Sequence, residues 1–237
     1  IDAKIINGDE YTIRMRIPID GDISFKDLVY GKINTKCSEL DDFIIARSDG
    51  SPTYNLTVVV DDNDMNISHV IRGEDHISNT PKQMLIYKAL EWTIPKFGHL
   101  PMILGSDGKR LSKRHGAKGT SEYKDLGYLP DTLINYLALL GWNPGNDDEI
   151  FDFNYLKENF SLDKVNKKSA VFDNTKLEWV SSQNIFKISA AKLVDIASEF
   201  DPTWCGEGHS LEYLVKVIEL IKDRIKTLSD IKENAFY

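Results

Sequence analysis

Residues 104–119, LGSDGKRLSKRHGAKG, form the stretch of this chain whose composition best suits phosphate binding. Between positions 109 and 118 it holds five Lys and Arg residues and no acid, whereas the whole chain has 29 Lys and Arg against 37 Asp and Glu. Ammonium groups and the backbone amides of a glycine-rich loop both bind phosphate oxygens. The stretch therefore indicates a local polyanion site on an acidic protein. A solvated basic hairpin is the alternative. Arg110 follows Gly108 and Lys109, so the stretch does not match the GxxxxGK[ST] nucleotide loop.

A second candidate site follows the segment ISHVIR, where the chain continues as Arg72, Gly73, Glu74, Asp75 and His76. A guanidinium is a planar fork that binds carboxylate or phosphate, and the two acids can accept hydrogen bonds from hydroxyls or an amine. Ligands of open α/β sheets bind beyond the carboxyl ends of the strands. Periodicity alone, however, favours a surface turn with an internal salt bridge.

Composition excludes several other kinds of site. Cys37 and Cys205 stand alone and far apart, so the sequence predicts neither a zinc site nor a disulfide framework. No apolar run approaches membrane-spanning length and no signal-peptide pattern opens the chain, so we expect a reducing, cytoplasmic setting without a membrane partner. We expect His69 and His99 to be packed side chains within strands.

The candidate residues need a parallel sheet to position them. Residues 1–53 read as β-rich, YNLTVVVDD reads as a buried strand, and ISHVIR reads as another. A helix is predicted at 81–91, because Thr80 and Gln83 have the spacing of a capping box and Pro81 suits a first turn. With HLPMIL (99–104) as the next strand, this is a βαβ unit, and the fold class is α/β.

From about residue 121 the pattern becomes helical. DTLINYLALLGWNPG, NTKLEWVSS and SAAKLVDIASEF each predict a helix, and SLDKVNKKS predicts a shorter one. Apolar residues recur at three- and four-residue steps over 210–228, which predicts one continuous amphipathic helix there. The chain thus runs from a β-rich segment through an α/β segment to a helical segment.

At this point the residues resemble a known family. RLSKRHGA (110–117) resembles the KMSKS signature of class I aminoacyl-tRNA synthetases, in the form typical of bacterial-type glutamyl-tRNA synthetases. Residues 50–92, from GSPTYN to KALEW, are similar to the central block of the same family. GYLPDTLINYLALLGW and FDNTKLEWVSSQNI resemble its stem-contact region, and IKDRIKTLSDI resembles the start of its helical anticodon-binding part. The resemblance covers essentially the whole chain in the right order.

The resemblance implies the second half of a class I synthetase Rossmann fold, divided into four segments. These are the C-terminal part of the tRNA acceptor-binding insertion (1–53), the second half of the Rossmann catalytic domain (54–105), the KMSKS loop with the stem-contact helices (106–188), and the start of the helical anticodon-binding domain (189–237).

The resemblance also implies a reaction and its residues. L-Glutamate is activated with ATP and Mg²⁺ to glutamyl-adenylate and transferred to the terminal adenosine of tRNA(Glu), in a parent enzyme that is monomeric. Lys113 is the expected principal phosphate contact, supported by Arg110 and Arg114, with Ser112 shaping the loop. Arg110 replaces the lysine that is usual at the first motif position. Further contacts are expected from Arg72 and Tyr54 to glutamate, and from Glu74, Asp75, His76 and Leu111 to ATP.

One departure from the family pattern leads to a further expectation. No HxGH motif is present, so we expect a fragment that lacks the first half of the nucleotide-binding fold and does not catalyse ATP–pyrophosphate exchange alone. Three alternatives remain open. These are a glutaminyl-tRNA synthetase, a relative that glutamylates a modified tRNA base, and a non-catalytic RNA- or nucleotide-binding module.

Overall fold

The computed structural model of this chain describes residues 10–112 and 118–235. These residues form two compact units that divide between Pro101 and Met102, here called the N-terminal unit and the C-terminal unit. Each unit has its own hydrophobic core. The finer division into four segments stays a prediction.

The N-terminal unit begins with short antiparallel strands, as the β-rich pattern predicts. In the second of these strands Ile23 and Asp27 are buried while their neighbours face outward, so the strand places one apolar and one acidic side chain inside. The paired strands are β1 (Ile13–Arg14) with β4 (Ile44–Ala46), and β2 (Asp22–Asp27) with β3 (Gly31–Lys36). A 3₁₀ turn, Cys37–Glu39, follows β3.

The predicted βαβ unit is present. Strand β5 (His69–Gly73) pairs in parallel with β6 (Lys96–Leu100), and helix α2 (Thr80–Ala89) connects them after a 3₁₀ segment, Glu74–Asn79. The strand predicted at 99–104 starts earlier than expected and ends at Leu100, because the next residue is a proline, which has no backbone amide to donate to a sheet.

The strand predicted for YNLTVVVDD is wrong. Residues Tyr54–Asp64 form a helix, α1, which follows Thr53 in extended conformation. Its fully buried Val59 packs against Ile86 and Tyr87 of α2. A short apolar run without alternation does not distinguish a strand from a buried helix, and here packing against α2 overrides the β-propensity of three consecutive valines.

The remaining core of the N-terminal unit joins the hairpin to the βαβ unit. Ile17 and Ile23 cluster with Met84 and Leu85 of α2 and with Phe97 of β6, and all five side chains are buried. The prediction for His69 is wrong, because its side chain lies on the exposed side of β5. His99 is buried, as predicted.

The C-terminal unit is mostly helical, as predicted. Strand β7 (Ile103–Leu104) pairs in parallel with β8 (Ala170–Val171). The helices are α3 (Thr120–Asp125), α4 (Pro130–Leu139), α5 (Phe153–Asn159), α6 (Asn174–Lys187), α7 (Ala190–Phe200), α8 (Leu211–Ile221) and α9 (Ser229–Asn234), with a 3₁₀ turn at Leu162–Lys164.

The single helix predicted over 210–228 is wrong in length, because α8 ends at Ile221. The carboxylate of Asp230 accepts hydrogen bonds from the backbone amides of Lys226 and Thr227, at 2.8 and 2.9 Å. In a continuing helix these two amides would instead donate to carbonyls one turn earlier. Ile225 nevertheless stays fully buried beyond the break, which is why the apolar spacing looks continuous in sequence.

The core of the C-terminal unit is apolar and lies between α7, α8 and the last helix. Leu193, Ile218, Ile221, Ile225 and Ile231 are each at most 1% exposed. Over residues 10–112 and 118–235, none of the helices has the length and apolar character that spanning a bilayer requires.

Candidate functional site

Arg72 lies near the carboxyl end of β5, directly beside His99 on the parallel strand β6. The chain then turns at Gly73, where a Cβ atom would lie 2.6 Å from a carboxylate oxygen of Asp75. A larger residue at this position would displace the Asp75 side chain, which folds back over the turn. Sheet register and this turn place the guanidinium at the strand edge where α/β proteins bind ligands.

Hydrogen bonds from two of its nitrogens fix the plane of the Arg72 guanidinium. Its Nη2 donates to Thr80 Oγ1 and to Gln83 Oε1, both at 2.8 Å, and more weakly to the carbonyl of His76 at 3.4 Å. Its Nε donates to His99 Nε2 at 3.2 Å. The carbon of the guanidinium also lies 5.7 Å from the ring centre of Phe97.

All of these hydrogen-bond partners are neutral, so the interpretation of this segment as a turn with an internal salt bridge is wrong for Arg72. Within the described residues, no carboxylate lies at ion-pair distance from the guanidinium. Burial lowers the pKa of Arg72, and the nearby Tyr54 and Asp62 only partly offset that effect. A half-buried cation held only by neutral groups is a natural binding site for an anion.

Two residues that hold Arg72 have the spacing that predicts a capping box. Thr80 and Gln83 do not cap α2, which follows Asn79 without a side-chain capping bond. Instead both side chains, each at most 1% exposed, turn to the guanidinium. The amide nitrogen of Gln83 also donates to Asn55 Oδ1 at 3.2 Å, which ties the first turn of α1 to the same group.

Tyr54, at the start of α1, lies close to Arg72 and His76. Its hydroxyl is 3.2 Å from His76 Nδ1, the two rings are 5.8 Å apart, and about half of its side chain is exposed. The hydroxyl also helps to keep the pKa of Arg72 from falling further. The structure therefore brings together both residues predicted to bind an amino-acid carboxylate.

Glu74, Asp75 and His76 follow Arg72 in the 3₁₀ segment Glu74–Asn79. The carboxylate of Glu74 accepts a hydrogen bond from the hydroxyl of Tyr30, in the turn between β2 and β3. Asp75 is exposed and His76 is half-buried. The three residues directly follow the end of the strand that carries Arg72, and their predicted role in binding ATP stays a prediction.

Asp27 and His99 contribute to this site although their sequence context gave no such signal. His99 connects Arg72 to the buried carboxylate of Asp27, which lies 2.6 Å from its Nδ1. In sequence, Asp27 is only an acid at the end of a strand pattern. His99 could have been found by aligning β5 with β6, because the parallel register places it opposite Arg72.

The basic stretch belongs to the C-terminal unit, and its first part is a tight hairpin. The amide of Gly105 donates to the carbonyl of Lys109 at 2.8 Å, and Leu111 donates back to Ile103 at 2.8 Å. Gly108 adopts φ +74°, a conformation that glycine tolerates best.

The hairpin exposes Arg110 and leaves Leu111 and Ser112 half-buried. Lys113 and Arg114 lie outside the described residues, so their predicted phosphate contacts stay predictions.

The described residues contain no group of three or more His, Cys, Asp or Glu side chains placed to hold a metal ion. Magnesium commonly enters nucleotide sites bound to phosphate oxygens, with few protein ligands. A magnesium ion bound in that way would need no such group of protein side chains.

Comparison with known proteins gives a consistent result for this chain. The family described as class I tRNA synthetases (E and Q), catalytic domain, matches residues 1–179. The chain is 45% identical over 232 residues to a glutamate–tRNA ligase of Nitrosospira multiformis, covering 97% of this chain and 50% of that protein. It is 43% identical to the glutamate–tRNA ligase of Carboxydothermus hydrogenoformans, covering 98% of this chain and 49% of that one.

A solved structure shows the same likeness. The crystal structure of a glutamate tRNA ligase from Elizabethkingia meningosepticum, in complex with its amino acid, superposes with a TM-score of 0.87 at 31% identity. The match covers 98% of this chain and 50% of that one. The chain spans about half the length of the relatives it matches.

Proposed function

Because this chain belongs to the class I tRNA synthetases of the E and Q type, we propose that its full-length gene product is a glutamate–tRNA ligase. In the first step the α-carboxylate of L-glutamate attacks the α-phosphorus of ATP and pyrophosphate leaves. In the second step a hydroxyl of the terminal adenosine of tRNA(Glu) attacks the carbonyl carbon of glutamyl-adenylate and AMP leaves.

The observation that carries this proposal is the guanidinium of Arg72, which has neutral hydrogen-bond partners and no ion pair within the described residues. A planar cation that neutral groups hold in place pairs with the side-chain carboxylate of glutamate, and it has no equivalent charge to pair with in the amide of glutamine. The hydroxyl of Tyr54 lies beside it to bind the same amino acid. Binding the side-chain carboxylate leaves the α-carboxylate to react.

The remaining predicted site residues bind the nucleotide in this proposal. Glu74, Asp75, His76 and Leu111 contact ATP, while Lys113, with Arg110, Arg114 and Ser112, binds the phosphates as negative charge grows on pyrophosphate. Cations placed where charge develops lower the barrier more than they stabilise the substrate. Magnesium, when bound, neutralises phosphate charge. A cytoplasmic location and a monomeric enzyme belong to the same proposal.

ATP–pyrophosphate exchange by the full-length gene product, with tRNA(Glu) present, tests the proposal. We expect exchange with glutamate and much less with glutamine. Arg72→Ala should lower kcat/KM for glutamate about 100-fold, because it removes a charge-assisted contact to substrate. Arg47→Ala is the matched control, since Arg47 is an exposed arginine of the same unit whose side chain donates only to Ser51 and Pro52 within the described residues.

The outcomes separate the alternatives. Exchange that depends on glutamine and not on glutamate would identify a glutaminyl enzyme. Glutamyl transfer to a tRNA base instead of the terminal adenosine would identify the modifying relative. Nucleotide or tRNA binding without any exchange would support the non-catalytic module. For residues 1–237 alone we expect no exchange, and activity above that of a Lys113→Ala control would contradict this.

A further inference from the structure

Asp27 is a buried carboxylate that accepts four hydrogen bonds at the end of β2. Its Oδ1 accepts from the amides of Val29, Tyr30 and His99, at 2.9, 2.8 and 3.3 Å, and its Oδ2 lies 2.6 Å from His99 Nδ1. Burial acts to raise the pKa of Asp27, but the bonds from Tyr30, His99 and Val29 together lower it. Asp27 therefore stays ionised, although its side chain is fully inaccessible to solvent.

The carboxylate determines which nitrogen of His99 carries the proton. Because an ionised Asp27 can only accept, Nδ1 of His99 must donate to it, and Nε2 is then left with a lone pair. That lone pair faces Arg72 Nε at 3.2 Å and Thr80 Oγ1 at 3.2 Å. Burial lowers the pKa of His99, and this effect, with that of Arg72, outweighs the opposing hydrogen bond and charge of Asp27, so the ring is neutral at pH 7.

The turn between β2 and β3 also contacts strand β6 and the segment that follows β5. Leu28 donates its amide to the carbonyl of Phe97 in β6 at 2.8 Å. Tyr30 donates its hydroxyl to the carboxylate of Glu74, which follows β5. Asp27 and this turn therefore form hydrogen bonds with strand β6, which lies beside Arg72, and with Glu74, which follows Arg72 in sequence.

We propose that Asp27, acting through His99, is a positioning residue that orients the guanidinium of Arg72 toward the carboxylate of the substrate. The β2–β3 hairpin would then help to set the affinity for the amino acid, because Asp27 acts on Arg72 through His99. This inference rests on the proposed glutamate-binding role of Arg72.

Asp27→Asn is a sharp test because the backbone fixes how the new amide lies. The three amides that bond Oδ1 need an acceptor, so the oxygen of the asparagine stays there and its NH₂ group faces His99 Nδ1. His99 must then accept at Nδ1 and carry its proton on Nε2. Two N–H groups, from His99 and Arg72, would point at each other and the guanidinium would shift.

The experiment measures KM for glutamate, KM for ATP and kcat in ATP–pyrophosphate exchange by the full-length gene product with tRNA(Glu). Asp27→Asn should raise KM for glutamate at least about tenfold, the range for a lost charged hydrogen bond, and leave KM for ATP within about twofold. Asp22→Asn is the matched control, because Asp22 is an exposed acid of the same strand that bonds Asn34. We expect wild-type values from it.

A pair of substitutions at His99 keeps the test decisive if Asp27→Asn fails to fold. In His99→Gln the amide oxygen takes the place of the Nε2 lone pair and can still accept from Arg72. In His99→Asn the amide NH₂ can replace Nδ1–H toward Asp27, but the shorter side chain offers no acceptor to Arg72 Nε. We expect His99→Asn to raise KM for glutamate several-fold more than His99→Gln does.

Two results would overturn the inference while leaving the proposed function intact. One is an active Asp27→Asn enzyme with unchanged KM for glutamate. The other is an equal effect of the two His99 variants, or a larger effect of His99→Gln. A wild-type protein that shows no exchange with glutamate would instead contradict the proposed function. The two failures are therefore distinguishable.

Discussion

In the N-terminal unit buried polar side chains converge on one cation, whereas in the described part of the C-terminal unit they share no common partner: Asn135 bonds backbone groups, and the hydroxyls of Thr132 and Ser181 have no hydrogen-bond partner. Thr80, Gln83 and His99 all contact Arg72. In the C-terminal unit Asn135 bonds the backbone of Glu149 and Phe151, at 2.9 and 3.3 Å.

The difference shows what each interior stabilises. Polar groups cost free energy to bury, so a cluster of them around a cation that has no ion pair within the described residues supports the binding role proposed for Arg72. The apolar cluster of α7, α8 and α9 instead contributes mainly to the stability of the fold. Substitutions in the first unit should therefore change substrate affinity, and those in the second should change mainly the free energy of unfolding.

Ile218→Ala should have the largest effect on stability. Ile218 is fully buried in the C-terminal core, and truncating such a side chain costs about 2–5 kcal/mol in the free energy of unfolding. Denaturant unfolding measures it, and KM for glutamate should not change. Leu220→Ala in the same helix is the control, because Leu220 is 69% exposed and should cost less than about 0.5 kcal/mol. Equal losses from the two would show that α8 is not packed as described.

Thr80→Val should affect both stability and binding. The substitution keeps the shape but removes the oxygen that accepts from Arg72 Nη2 at 2.8 Å, at a cost of about 1–3 kcal/mol. KM for glutamate should rise several-fold in exchange assays.

Thr132→Val in the C-terminal unit is the matched control for Thr80→Val. Both threonines are fully buried, but the Thr132 hydroxyl has no hydrogen-bond partner within the part of the chain that the structure describes. Thr132→Val should therefore be neutral or stabilising and leave KM unchanged. An unchanged KM for glutamate in Thr80→Val would contradict the claim that the buried polar groups of the N-terminal unit serve substrate binding.

The two units should also respond to acid at different pH. The pKa of His99 is lowered, first by burial and then by Arg72 and His76, against the opposing effect of Asp27. The unfolded chain takes up a proton at this residue below about pH 6.5 while the folded unit resists it, so stability falls as the pH drops below that value.

In the C-terminal unit the hydrogen bonds of the half-buried Asp201 with Thr203 and Lys232 lower its pKa to about 2. The contribution of Asp201 to the free energy of unfolding is present above its ordinary pKa of 3.8 and is lost only as the pH falls from there toward 2.

Thermal unfolding between about pH 7.5 and 5 checks the loss of stability attributed to His99. His99→Gln should flatten the dependence, and an unchanged slope would exclude His99 as its cause.

Glu212→Gln should have the smallest effect. Glu212 and Lys216 form an ion pair at 2.8 Å on the surface of α8, with 80% and 66% of their side chains exposed. Exposed pairs at this helical spacing contribute at most about 0.5 kcal/mol. Denaturant unfolding at low and high salt should barely differ between the variant and wild type. A loss above about 1 kcal/mol in the free energy of unfolding would show that this exposed ion pair stabilises the protein more than exposed pairs generally do.

Local patterns predicted those parts of the fold in which the pattern is distinctive. The β5–α2–β6 unit was predictable because Pro81 marks the start of a helix between two short apolar runs. The helix at Tyr54–Asp64 was not predictable, because its apolar run shows neither strand alternation nor helical periodicity. The end of α8 was missed because Asp230 captures two backbone amides, which leaves no trace in the spacing of apolar residues.

The candidate site was predictable only in part, for a similar reason. Arg72 and Tyr54 can be chosen by their chemistry and by resemblance to a family. Asp27 could not, because its role depends on His99, which lies 72 residues later in the chain. The spacing of Thr80 and Gln83 predicts a local capping role, but both side chains turn away from the start of helix α2 and contact Arg72 of strand β5.

The most direct test of the central claim is a crystal structure of the full-length gene product with L-glutamate bound. We expect the side-chain carboxylate of glutamate within hydrogen-bond distance of the Arg72 guanidinium, beside the hydroxyl of Tyr54. Glutamate bound with both carboxylates away from the Arg72 guanidinium would contradict the account.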